Sequence, residues 1–211
     1  MAISHKARVV AQYLVPIAIL YTGVGFFLFK GKIPTLGAML PYIGGMSGLV
    51  VVMTLAQDLV PKSFKEFIVF WRFSDRLPGH RAFTEKFSDQ SRYDRQKISN
   101  WADLEGMSPS SQQQTFYKVY RRHEKDARIS HNSFRYLAWR DSASSLFLLA
   151  FVTVPALGSF STYGTQGPAS RLAFFALIAS LICSIAARQA ANELVYQVLA
   201  SETQGKRHGI R

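Results

Sequence analysis

The sequence holds a single cysteine, Cys183, which excludes an intramolecular disulfide and a cysteine-based zinc site. Charge is scarce in the same selective way. No charged residue occurs in the 21 positions from Val9 to Phe29, the 25 from Ile33 to Gln57, the 29 from Ser142 to Ser170, or the 16 from Leu172 to Ala187. None of these runs has an Asp, Glu, Lys or His at mid-depth, which argues against a proton-coupled transporter or a pump, whose pathways need ionisable groups. The glycine-rich phosphate loop, the dinucleotide fingerprint, the paired-histidine zinc helix and the nucleophile elbow are all missing. His80, His123 and His131 lack metal-ligand spacing to acidic partners. The sequence therefore predicts no catalytic centre, no metal and no cofactor. There is also no internal repeat, heptad array or low-complexity tract.

What is present is an alternation of apolar runs and basic segments. A helix rises about 1.5 Å per residue, so a hydrocarbon core about 30 Å thick needs roughly 20 apolar residues. The first three runs meet that length. The fourth does so if its helix continues past Arg188 through Ala190, Ala191, Leu194 and Val195, with Arg171 and Arg188 reaching toward opposite interfaces. The expected fold is an all-α integral membrane protein of about four transmembrane helices, with a helical insert between the second and third. The predicted segments are an N-terminus over 1–8, spans over 9–29, 33–57, 142–164 and 170–195, an insert over 58–141 and a basic tail over 196–211. The first run does not read as a cleaved signal, because Phe26–Phe29 and Lys30 offer no small-residue cleavage site.

Orientation follows from the basic residues. On one side lie two Lys/Arg in the N-terminus, sixteen in the insert and four from Arg188 onward; the other side has three, Lys30, Lys32 and Arg171. The positive-inside bias predicts that both termini and the insert lie in the cytoplasm.

Small residues mark the spans. Gly44 and Gly48 in the second, and Ala176, Ser180 and Ser184 in the fourth, form stripes at fourfold spacing. Such stripes serve either packing within one bundle or a subunit interface lining a pore. In the insert, Phe64, Phe67, Ile68 and Trp71 predict an amphipathic helix over 62–74, stopped at Leu77-Pro78-Gly79. Ser108-Pro109 predicts a capped helix start, running to about Lys125. A further helix from about Ile129 is expected to feed directly into the third span. The segment Gly205–Arg211 is expected to lack fixed structure and to lie near anionic headgroups.

Basic and aromatic residues interleave in three clusters of the insert: Trp71–Phe83, Phe116–His123 and Arg135–Arg140. Arginine offers a planar fork to phosphate, and aromatic faces stack on bases, the pairing that single-stranded nucleic acid binding uses. On this chemistry the candidate ligand residues are Arg76, His80 and Arg81 at the corner and Tyr117, Tyr120, Arg121 and Arg122 on the helix. Other readings stand beside it. The aromatics can form the insert's own core, Trp139-Arg140 can belong to an interfacial belt, the arginines can meet lipid headgroups, or the surface can hold a protein partner. The insert has sixteen basic and eleven acidic residues, a modest excess for a nucleic-acid surface.

The strings Trp71-Arg72 and Arg76-Leu77-Pro78-Gly79-His80-Arg81-Ala82-Phe83, then Gln112–Gln114, Phe116-Tyr117-Lys118-Val119-Tyr120-Arg121 and Arg140-Asp141, form a pattern over roughly Phe64 to Leu149. It resembles four-span bacterial membrane proteins encoded beside antiviral nucleotidyltransferases, the membrane effectors of the Hailong anti-phage system. The four-span protein of the Kiwa system is a competing resemblance. The outer spans match only in hydropathy. The Hailong resemblance implies a tetrameric inner-membrane ion channel held shut by oligodeoxyadenylate from a partner nucleotidyltransferase; loss of that ligand would open it and depolarise the cell. The Kiwa resemblance implies a membrane sensor or scaffold that recruits a cytoplasmic protein.

Overall fold

A computed structural model of the chain describes residues 10–30, 53, 58–84, 101–159 and 166–208. Among these residues the protein is helical, without strands. A π-helical turn, Val10–Leu14, leads into α1, Val15–Lys30. Then come α2, Lys62–Phe70, and a 3-10 turn, Pro78–Arg81. They are followed by α3, Trp101–Glu105, α4, Pro109–His123, α5, Ala127–Ser159, and α6, Gln166–His208. At about 1.5 Å per residue, the 33 residues of α5 and the 43 of α6 extend about 50 and 65 Å.

Ala11–Leu28, with a mean hydropathy of 1.6, and Ser170–Thr203, with 2.0, are long and apolar enough to cross a membrane. Along both, large apolar side chains stay uncovered: Phe174 is 65% and Ile182 60% exposed, and Leu20 and Phe27 are about half exposed or more. The second predicted span, with Gly44 and Gly48, lies outside the described residues apart from Met53. The third predicted span falls on α5 as far as Ser159, and the helix expected from Ile129 begins at Ala127 and enters it without a break.

The chain forms two compact units. One comprises Met1–Val69 and Ala138–Ile185, the other Phe70–Leu137 and Ala186–Arg211. In the first, Leu14, Tyr21, Met53, Leu149, Leu172 and Ala176 share a core. Small polar residues let its helices approach: the Ser180 hydroxyl donates to the Ala143 carbonyl at 2.8 Å, and that of Ser184 to the Ile68 carbonyl at 3.3 Å. Ala176, Ser180 and Ser184 are therefore all buried within a single copy of the chain. A charged group is buried here too. Lys65, 7% exposed, meets Asp141 at 3.5 Å, and the Arg140 guanidinium donates to the same carboxylate at 2.9 Å.

The second unit is built on Phe83, Phe116, Val119 and Ile129 from the insert with Val195, Val198 and Leu199 from α6. Val198 and Leu199 belong to the stretch predicted as a tail, and α6 continues as helix through His208, beyond the Gly205 where order was expected to end. Ser108 caps α4 as its sequence predicts. Its hydroxyl accepts from the Ser111 amide at 3.4 Å, and Pro109 fills the first helical position, where no amide is needed. The helix closes at His123, two residues earlier than expected. Replacing Ser108 with Ala should cost about 0.5–1 kcal/mol in denaturation of the detergent-solubilised chain, with Ser108→Asp retaining the cap. Equal stability of Ser108→Ala and the parent would show that the cap contributes nothing.

Helix α2 ends at Phe70, four residues short of the expected Ser74. The cause is backbone conformation: Trp71 takes φ 52° and Asp75 φ 46°, left-handed values that cost a non-glycine residue about 1–2 kcal/mol. Side-chain contacts offset that cost. The Arg188 guanidinium sits over the Trp71 ring at 4.0 Å, and Arg76 Nε donates to the Arg72 carbonyl at 2.9 Å.

Candidate ligand-binding site

The corner after α2 is shaped by backbone first. Leu77 is extended, Pro78 starts the 3-10 turn, and Gly79 lies flush against α4. A Cβ at Gly79 would fall 2.2 Å from Gln113 Oε1 and 2.8 Å from Phe116 Cδ1, so only glycine permits this approach. His80 follows, with Nδ1 3.2 Å from the Pro109 carbonyl and 3.5 Å from Asp75 Oδ1. The turn thereby fixes where Arg81 emerges.

Arg81 is an under-satisfied charge at this corner. Its Nε is shut off from solvent and has no hydrogen-bond partner among the described residues. Burial pushes its guanidinium below the ordinary arginine value, and Arg72 pushes it the same way, while Asp75 opposes both. Arg72 is also within electrostatic range of Arg188. Arg81 and Arg188 thus each lie within electrostatic range of Arg72, with Arg188 over the Trp71 ring and Asp75 as the opposing carboxylate. An incoming anion would relieve the mutual repulsion, and Arg72 and Arg188 present the forked donors that suit phosphate.

The predicted residues on α4 separate into different surroundings. Tyr117 and Arg121 are exposed and pair with each other, the guanidinium lying 5.2 Å from the ring centroid. A hydrogen bond to Tyr117 raises the Arg121 guanidinium above its ordinary value. Tyr120 turns inward, donating to Ser133 Oγ at 3.3 Å and packing on the core. Arg122 is held by Glu202 at 3.2 Å, and the same carboxylate lies 2.9 Å from His123 Nε2. Of the candidates, then, Arg76, His80 and Arg81 share the corner, Tyr117 stacks with both Arg121 and the inward-turned Tyr120, and Arg122 is committed to an ion pair.

No protein-family model, no curated protein and no solved structure matches this chain. Residue chemistry has to carry the assignment alone. Two members of the corner were missed as ligand candidates. Arg72 was legible as the basic neighbour of Trp71; Arg188 was legible only as the lone charge that ends an uncharged run. Their meeting depends on the fold of the 115 residues between them. Among the described residues, no group of three or more His, Cys, Asp or Glu is placed to hold a metal ion.

Proposed function

We propose that this chain is a non-enzymatic, homo-oligomeric membrane effector of bacterial anti-phage defence, an ion channel gated by a nucleotide or oligonucleotide at the arginine corner. The observation that carries the reading is Arg81, a half-buried cation whose Nε is shut off without a partner among the described residues, within electrostatic range of Arg72, which is itself within range of Arg188 over the Trp71 ring. An anion bound there acts on α6 through Arg188, and α6 continues as one helix into the apolar stretch from Ser170. The two uncovered apolar helices support a membrane setting, since helices apolar yet unburied need a non-aqueous surround. In this proposal the remaining apolar runs complete four spans in the inner membrane. Residues 58–141 and both termini face the cytoplasm, as the basic excess requires. The resemblance to Hailong effectors favours a tetramer and oligodeoxyadenylate from a partner nucleotidyltransferase.

Expression without the partner nucleotidyltransferase tests this. A voltage-sensitive dye should report depolarisation within one induction period, and Arg81→Gln should alter ligand control of that depolarisation without abolishing membrane insertion. An unchanged potential sinks the channel reading.

A second reading, a sensor or scaffold that recruits a cytoplasmic protein, is favoured by one observation. Phe73 is 85% exposed and Trp71 55% exposed on the same corner, an aromatic surface suited to a protein partner. Copurification from detergent, with and without infection, separates the two.

A further inference from the structure

The second unit contains a polar groove between α5 and α6 that none of the candidate residues lines. One end of it is a cavity of about 530 Å³. Its α5 wall carries Arg128, His131, Asn132 and Arg135, one helical face at spacings of three, four and seven. Its α6 wall carries Gln189, Glu193 and Gln197, again one face at fourfold spacing. A second cavity of about 560 Å³ shares Arg128, Glu193 and Gln197 and adds Tyr196, Ser201 and Asp126. Both volumes fall in the range of small-ligand sites, about 300–1,000 Å³.

One amide oxygen in this groove is left without a partner among the described residues. Asn132 is 4% exposed on the α5 wall. Opposite it, Gln197 donates weakly to Glu193 at 3.4 Å, but its own Oε1 is buried without a partner. A buried unmade hydrogen bond costs about 1–3 kcal/mol, so the Gln197 oxygen points to a ligand that completes it. Arg128 and Arg135 have no ion pair among the described residues. Seven residues apart, they spread positive charge over about 10 Å of groove. That length suits more than one phosphate better than a single inorganic ion.

We propose that this groove binds a nucleotide or short oligonucleotide, with phosphates on Arg128, His131 and Arg135 and a base edge on Asn132 and Gln197. Glu193 and Asp126 stand along the groove as acceptors for base amino or sugar hydroxyl groups, and Tyr196 lies at its far end. The assignment rests on the nucleotide reading above but places a site outside the arginine corner.

The test uses the full chain in nanodiscs of phosphatidylcholine, titrated with homopolymeric tetranucleotides of each base and with inorganic pyrophosphate. Arg128→Gln/Arg135→Gln changes two exposed side chains and should keep the parent melting midpoint. At least one tetranucleotide should bind the parent and bind the double variant at least about tenfold more weakly, with affinity falling as salt rises. Asn132→Asp should change which tetranucleotide binds best. The groove assignment is overturned if the double variant binds like the parent while Arg81→Gln loses binding, an outcome that leaves the corner reading standing. It is overturned also if pyrophosphate binds as tightly as every tetranucleotide, or if replacing phosphatidylcholine with phosphatidylglycerol abolishes nucleotide binding, which would assign the groove to a headgroup. Absence of tetranucleotide binding to the parent overturns this site and the nucleotide part of the proposed function together.

Discussion

Replacing Asp141 with Ala will destabilise the chain by about 3 kcal/mol, whereas Lys65→Met will leave it within about 1 kcal/mol of the parent. Both residues belong to one ion pair, and the asymmetry is the point. Lys65 is 7% exposed and reaches Asp141 at 3.5 Å; Arg140 donates to the same oxygen at 2.9 Å. Removing the carboxylate strands the buried Lys65 ammonium and takes one acceptor from Arg140, and the lysine must then be solvated by a structure that excludes water. Removing Lys65 instead takes away a buried charge and substitutes an apolar chain of similar length. Arg140 remains to satisfy Asp141. Urea or thermal unfolding of the detergent-solubilised chain, followed by tryptophan fluorescence, reads both variants. Equal costs for the two would show that Lys65 contributes as much as it burdens, and a loss below 1 kcal/mol for Asp141→Ala would show that the pair is effectively solvated.

The pair also shows where sequence reading stops. Lys65 sits among Phe64, Glu66 and Phe67, and helical spacing assigns it to a polar face. Its burial depends on a carboxylate 76 residues away, and no local pattern encodes such a pairing. Features set by neighbouring residues were readable: the Ser108-Pro109 start of α4, the uninterrupted passage into α5, and the apolar lengths of Ala11–Leu28 and Ser170–Thr203. Features set by distant contacts were not. The helix expected to reach Ser74 ends at Phe70 because Trp71 leaves the helical region, where it lies under Arg188. Val198 and Leu199 were predicted in a tail because the eye follows the charge that comes after them; their burial depends on Phe116 and Ile129. In the site, the arginine-aromatic chemistry identified Arg76, His80 and Arg81 at one corner. The same chemistry could not separate exposed Tyr117 from inward Tyr120, which differ by three positions on one helix. The groove was invisible for a related reason: Arg128, His131 and Arg135 acquire their meaning only when Gln189, Glu193 and Gln197 stand opposite.

The corner can be challenged with one methyl group. Gly79→Ala should cost about 1–3 kcal/mol, because the added Cβ would lie 2.2 Å from Gln113 Oε1 and 2.8 Å from Phe116 Cδ1. The two neighbours yield differently. Gln113 Oε1 ends a flexible side chain and is buried without a partner, so it can swing away at modest cost. Phe116 is 7% exposed and packs with Phe83 and Val119, so its ring cannot move without opening the core. Gly79→Ala/Gln113→Ala should therefore recover only part of the lost stability, the remainder being the push on Phe116. The displaced turn also carries His80 and Arg81 away from Pro109 and Asp75. Stability and ligand affinity should fall together in Gly79→Ala, and the double variant should regain stability without regaining affinity in proportion. Full recovery of both in the double variant would mean that Gln113 alone resists the methyl group, and that the turn does not position Arg81 through Phe116.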